Sequence, residues 1–263
     1  MPNISSNIIY LFNEFDLINR IEASADAGFK AVECQSPYEI PAARMKNCLS
    51  ENSVEMVLIN GKPGDPAKGD KGVGIFPDRI DEFQALTRES IDYAAAIGST
   101  RVHVMTGVPG EAVSWDTAED TLIDNIRWAA DFGQERGVKI MLEPLNATDN
   151  PGYFLTNADQ AAPIIAKIAH NNVYLQYDLY HGGMNGEDIT ASIRKHFGLI
   201  DHMQVAGVPG RNEPSSGDID FAPIFDAIDE MGYAGWIGAE YVPKDGTLAG
   251  FGWAAAYGIK ASS

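Results

Sequence analysis

The chain has 263 residues, 45% hydrophobic and 21% charged, as expected of an ordinary globular fold with a sizeable core. Its net charge of −18 repels nucleic acid and anionic membranes, and its two cysteines, Cys34 and Cys48, are too few for a disulfide framework. The N-terminus Met1-Pro2-Asn3-Ile4-Ser5-Ser6 lacks the basic and apolar regions of a signal peptide, and no apolar run is long enough to span a membrane, so the expected compartment is the reducing cytoplasm.

Short apolar runs alternate with amphipathic segments along the chain. Asn7–Phe12 is expected as strand 1, Phe15–Gly28 as a helix stopped by Gly28, and Ala31–Cys34 as strand 2. A helix over about Ile40–Asn52 leads to strand 3 at Val54–Asn60. The next segment, Gly61–Gly74, is too rich in Gly, Pro and Asp for regular structure and long for a loop between strand and helix, which points to an active-site lid. Arg79–Ile97 is a long helix, Arg101–Met105 strand 4, and Glu119–Arg136 a helix stopped by Gly137. Four more strands follow, Lys139–Glu143, Val173–Asp178, Ile200–Gln204 and Trp236–Glu240, with helices near Ala158–Ala169, Ile189–Phe197 and Phe221–Met231 between them. The tail Gly246–Ser263 can add a short last helix. Eight strands alternating with helices predict one closed (β/α)8 TIM barrel over residues 1–263, with catalytic groups at the strand C-termini.

Each of the last four strands closes on a metal-capable oxygen side chain: Glu143, Asp178, Gln204 and Glu240, spaced 35, 26 and 36 residues apart. A lone acid at a strand end is usually a loop or cap residue. Acids on successive parallel strands converge at one mouth, where like charges are costly unless a cation neutralises them. Two Glu, one Asp and one amide form an all-oxygen set suited to Mg2+ or Mn2+ rather than structural zinc. His181, three residues after Asp178, is either a substrate ligand above that site or a capping imidazole. Arg211 can clamp a substrate carboxylate with two parallel hydrogen bonds or lie exposed in a loop, and Glu213 orients it or is solvated. Asp149 holds a substrate hydroxyl or caps the Asn150-Pro151-Gly152 turn. His202 lies one layer below Gln204 on the same strand face and reads as a buried, hydrogen-bonded histidine; the two cysteines read as packing residues.

The run Glu143-Pro144-Leu145-Asn146 with Asp149 and Pro151-Gly152 resembles the EPxNxxDxPG signature of the hydroxypyruvate isomerase family. The same family resemblance extends through Gln176–His181, Gln204–Pro214, Gly217–Phe221 and Gly232–Tyr241, and in the N-terminal half through Leu11–Glu14, Ala27–Phe29, Val32-Glu33 and Pro37-Tyr38. It covers nearly the whole chain, and Gln204–Pro214 is especially similar to the 2-oxo-tetronate isomerase branch. What it implies is a xylose-isomerase-like barrel that isomerises a small sugar acid, with Glu143 and Glu240 as the acid/base pair and Glu143, Asp178, Gln204 and Glu240 around a divalent metal. His181, Arg211 and Lys62 are then the cations available to a substrate carboxylate. A homo-oligomer, dimer or tetramer, is an allowed assembly.

The pocket wall departs from that family. Cys34, Gln35 and Ser36 stand where bulky apolar residues are usual, Ala147 where His is common, and Lys62 and Pro66 where an apolar residue and Trp are common; Gly182-Gly183-Met184 replaces polar residues. A ketose 3-epimerase, helped by the small Ser36 and Ala147, and a sugar or inosose dehydratase are therefore carried as alternatives. A DNA-repair phosphodiesterase would need a His-rich multi-metal cluster and a basic face, against five His and a charge of −18 here. A non-catalytic sugar-binding barrel would not need two glutamates on a metal.

Overall fold

The structure is a computed structural model that describes residues 2–111 and 113–260. Eight strands, β1 (Asn3–Asn7), β2 (Ala31–Cys34), β3 (Glu55–Asn60), β4 (Arg101–His103), β5 (Lys139–Leu142), β6 (Val173–Asp178), β7 (Ile200–Val205) and β8 (Trp236–Ala239), form a closed barrel in sequence order. Every neighbouring pair is parallel, and β8 closes on β1 with Ile4 opposite Ile237. Between them run α1 (Asn19–Ala27), α2 (Ala42–Glu51), α3 (Ile80–Ile97), α4 (Trp115–Gln134), α5 (Ala158–Ile168), α6 (Leu179–Met184), α7 (Ile189–His196) and α8 (Ala222–Glu230). None of the helices among the described residues is long and apolar enough to cross a membrane.

The strands are buried on both faces because helices cover the outside and side chains fill the inside. Val32, Ile59, Val102, Ile140, Leu175, Met203 and Ile237 are all buried in this core. Gly28 ends α1 with φ 108°, a left-handed value that suits glycine, and its N–H caps the helix. Asn157 and Asp178 cap α5 and α6 by accepting from the Gln160 and Tyr180 amides.

Strand 1 lies earlier than expected, and α1 starts at Asn19 rather than Phe15. The apolar run after Asn7 is a turn, with Phe12 at φ 59°, whose Ile8, Leu11 and Phe12 are nevertheless buried. Conversely the strand carries buried Ser5, Ser6 and Asn7. Two of them have partners in the fold: Ser6 bonds Ser24 of α1 at 2.8 Å and Asn7 donates to Glu33 of β2 at 2.8 Å. The short α6, directly after the Asp178 strand, was not expected. In the tail, Leu248–Tyr257 is a 3-10 helix whose Phe251 packs on Phe12 and Phe29; residues 261–263 lie outside the described part.

The expected lid, 61–74, is pinned in place. Arg79 holds Asp70 through two bonds of 2.9 and 2.7 Å, and Gly72 bridges to Thr106. A Cβ at Gly72 would lie 2.2 Å from the Met105 carbonyl oxygen, so the approach of the two backbones requires glycine.

Candidate active site

Parallel alignment brings the last four strand ends to one rim. Asp178 is opposite Gln204, and Gln204 opposite Gly238, two residues before Glu240. Glu143, Asp178, Gln204 and Glu240 are all buried, at 5, 3, 2 and 6% exposure. Burial of three acids without full pairing is expensive. Burial first, then Glu240 and Asp178, pushes Glu143 well above the usual carboxylate range. Burial lifts Glu240 to about 8 against the pull of Arg211, with Asp178 and Glu33 adding to the rise. Asp178 is lifted by burial to about 6, again against Arg211.

Asp178 divides its oxygens. Oδ1 accepts from the Tyr180 amide at 2.8 Å and starts α6, while Oδ2 is buried with no hydrogen-bond partner among the described residues. Glu143, Asp178 and His181 each bring a ligand-capable atom within 4.8 Å of the others. An unsatisfied Oδ2 beside two more raised carboxylates fits a hard divalent cation. Glu143 and Asp178 are the oxygen side chains of that cluster that could hold it; Glu240 is not part of the cluster, and Gln204 lies opposite Asp178 on the neighbouring strand.

His181 is oriented by Asn146. The backbone and side-chain N–H groups of Asn146 face its Nδ1 at 3.3 and 2.7 Å, which leaves the ring proton on Nε2, 3.6 Å from Asp178 Oδ2. Burial, then Arg211, lowers its pKa to about 3, so the ring is neutral at ordinary pH.

Arg211 enters the same space. Its Nη2 is 3.1 Å from Glu240 Oε1 and 3.6 Å from Asp178 Oδ2, and its guanidinium lies over Tyr180 and Tyr10, 4.9 and 5.6 Å from the ring centroids. The backbone there is left-handed, φ 53°, held by the Arg211 N–H donating to Gly207 and by Val242 donating to the Arg211 carbonyl. Its Nε is buried with no protein acceptor among the described residues.

The other expected ligands have protein partners. Asp149 accepts from Asn146 at 2.9 Å and Tyr180 at 2.7 Å, which hold it below its ordinary pKa against the lift of burial. It positions the Asn146 amide that orients His181. Lys62 pairs with Glu89 on α3 and lies over Tyr38. Glu213 is buried and accepts from the Lys244 amide at 2.9 Å, so it holds the loop after β8 and does not face solvent.

Four further residues reach this centre that sequence reasoning did not single out for it. Gln35 donates to Glu240 Oε1. His103, which burial drives to a pKa of about 3, has Nδ1 3.2 Å from Glu143 Oε2. Gln176 donates to Gln204 at 2.6 Å, and Gln204 donates to Glu33 at 2.8 Å. Gln176 was findable, since it precedes Asp178 by two and so shares its face, as His202 does with Gln204. Burial raises the Cys34 thiol to about 12, in keeping with a packing role.

The model of the xylose isomerase-like TIM barrel family matches residues 21–257. A 2-oxo-tetronate isomerase of Cupriavidus necator is 36% identical over 257 residues, covering 98% of this chain and 99% of its own. The hydroxypyruvate isomerase of Escherichia coli is 34% identical, over 96% of this chain and 98% of its own. A crystal structure from Brucella melitensis, described as an AP endonuclease of family 2, superposes with a TM-score of 0.95 at 35% identity, covering 98% of this chain and 99% of that one.

Proposed function

The chain belongs to the xylose isomerase-like TIM barrel family, and we propose that it is an aldose–ketose type isomerase that uses a divalent metal, Mg2+ or Mn2+, to interconvert a 2-oxo sugar acid and its aldehyde isomer. Hydroxypyruvate to tartronate semialdehyde, or the corresponding 2-oxo-tetronate reaction, is the chemistry assigned. The relatives named 2-oxo-tetronate isomerase and hydroxypyruvate isomerase support the reaction type. The observation that carries the reading is the trio of buried acids Glu143, Asp178 and Glu240, with Asp178 Oδ2 lacking a hydrogen-bond partner among the described residues.

A bound divalent cation would supply Lewis acidity to the vicinal carbonyl and hydroxyl oxygens and acidify the C–H between them. The protein supplies the rest. Arg211 has a free Nε and a guanidinium already inside the site, and it binds the substrate carboxylate. His181 presents Nε2–H to a substrate oxygen. One of the pair Glu143 and Glu240 removes the proton from the hydroxyl-bearing carbon, leaving a cis-enediolate. The other moves the hydroxyl proton to the former carbonyl oxygen, and a proton returned to the neighbouring carbon completes the isomer. Gln35 donates to Oε1 of Glu240 and Arg211 Nη2 is ion-paired with the same oxygen, which leaves Oε2 for that work.

The charge of −18 and the single histidine in the acidic cluster argue against a phosphodiesterase acting on DNA, and two free thiols suit a reducing cytoplasm. Proton NMR in D2O with 2-oxo acids and ketoses, with Mg2+ or Mn2+ added, tests the reading. Deuterium at the former carbonyl carbon, with a new aldehyde signal, is expected. Exchange at C3 of a ketose with its carbonyl in place would identify an epimerase instead, and loss of a β-hydroxyl a dehydratase.

A further inference from the structure

Below the strand-end acids lies a second polar layer that the proposed chemistry does not use. Its centre is Glu33 of β2, 1% exposed. Glu33 Oε1 accepts from Asn7 Nδ2 and from Gln204 Nε2, both at 2.8 Å, and Oε2 accepts from His202 Nε2 at 2.6 Å. The carboxylate is seated against bare backbone: a Cβ at Gly238 of β8 would lie 2.2 to 2.4 Å from its three carboxyl atoms. Only glycine at that place leaves room for it.

We propose that Glu33 is a positioning residue for the metal site, which fixes the Gln204 amide with its oxygen available to the cation. The two ends of a glutamine amide are nearly equal in size, so its partners decide which way it faces. Gln204 turns its NH2 towards Glu33 Oε1, the oxygen that also accepts from Asn7. Its Oε1 is thereby directed away from Glu33, to the side where Gln176 donates to it at 2.6 Å. A carbonyl oxygen has two lone pairs, so this bond leaves one for a cation. Glu33 cannot swing to release the amide, because Asn7 and His202 hold one oxygen each and Gly238 backs the group. Such outer partners govern metal affinity about as strongly as a weak ligand does.

The inference rests on Gln204 being a ligand, as proposed above, and the experiment separates the two. Mn2+ binding to the full-length, metal-stripped protein is read from the EPR signal of free Mn2+ for wild type, Glu33→Gln, Gln204→Leu and the double variant. The Gln side chain keeps the size of Glu33 but can offer either end to Gln204. Glu33→Gln is expected to weaken Mn2+ by about 10- to 100-fold, and to add nothing once Gln204 is Leu. Loss of a nearby negative charge, or a general loosening of the barrel, would weaken Mn2+ equally in both backgrounds and would overturn the proposal. Unchanged affinity in Glu33→Gln, with Gln204→Leu weakened, would also overturn it while leaving the ligand assignment standing. Unchanged affinity in Gln204→Leu would instead remove the ligand assignment and the positioning role together. Should Glu33→Gln fail to fold, Glu33→Asp draws the carboxylate back by one methylene and is expected to give the same non-additive loss; an additive loss, or none, overturns the proposal.

Discussion

Arg211→Lys tests how the site reads an acid. The guanidinium uses one nitrogen on Glu240, at 3.1 Å, and keeps a buried Nε without a protein acceptor. That free edge is what a carboxylate needs for two parallel contacts. Lysine retains the charge and loses the fork, so about one charge-assisted hydrogen bond disappears. Such a bond is worth about 1.5–3 kcal/mol, which corresponds to roughly 10–150-fold in kcat/KM. The assay compares hydroxypyruvate with dihydroxyacetone, its neutral counterpart, under saturating Mn2+. Because Arg211 also touches Glu240, both rates can fall; the readout is the ratio of the two kcat/KM values, which cancels the shared part. The ratio is expected to drop by that 10–150-fold. Equal losses on both substrates would show that Arg211 acts through Glu240 alone, and the carboxylate reading would be wrong. If, in addition, wild type turned over neutral ketoses faster than 2-oxo acids, the epimerase reading would take its place.

Glu143→Gln and Glu240→Gln are each expected to lower kcat by at least about 100-fold while circular dichroism stays native, the scale of a positioned acid or base; turnover near wild type would take that residue out of the chemistry. Chelation with EDTA should abolish activity, and Mn2+, Mg2+ or Co2+ should restore it, with Asp178→Ala weakening metal binding more than Gln204→Ala because a charged ligand is lost; full activity in protein shown metal-free by elemental analysis would contradict the site. His103 gives a pH prediction. Its folded pKa is about 3, below the ordinary 6.5, so the unfolded chain binds the extra proton. The stability it allows is complete above about pH 6.5 and is lost as pH falls towards 3, at up to ~1.4 kcal/mol per pH unit. The raised carboxylates have the opposite sign, so the measurement is the difference between wild type and His103→Gln in urea unfolding, pH by pH; a difference independent of pH from 6.5 to 3 would refute it.

The barrel was legible because its signals are local and repeated: short buried runs, helix periodicity and glycine stops in alternation. Strand 1 was misplaced for a physical reason. Strand recognition follows apolar side chains, and Asn3–Asn7 buries the polar Ser5, Ser6 and Asn7 instead. The strand-end oxygen residues were visible from spacing alone, since one acid or amide per parallel strand end is a one-dimensional pattern. The occupations of Asp149, Lys62 and Glu213 were not visible. Each is decided by a partner that the fold brings near: Tyr180, Glu89, and the Lys244 amide. Glu33 was quoted as part of a motif without a role, because its partners Asn7, His202 and Gln204 lie on β1 and β7.

The two polar layers inside the barrel are satisfied in opposite ways, and that contrast locates the chemistry. In the lower layer a buried carboxylate, Glu33, meets donors on both oxygens, from Asn7, His202 and Gln204. Its polar atoms are met within the fold. In the upper layer Glu143, Asp178 and Glu240 are equally buried, yet their pKa values rise and Asp178 Oδ2 finds no donor among the described residues. A fold able to satisfy one internal acid with three donors could have satisfied the others by the same means. It leaves them short of positive charge, with Arg211 reaching in from a loop as a partial counter-ion. The deficit is the binding energy that a divalent cation and an anionic substrate would share, the first between the acids and the second on the free edge of the arginine. The same deficit would reconcile a net charge of −18 with the acid substrate proposed for this chain. The overall field repels the substrate, but the local balance at the barrel mouth, once a cation of charge +2 is bound, does not.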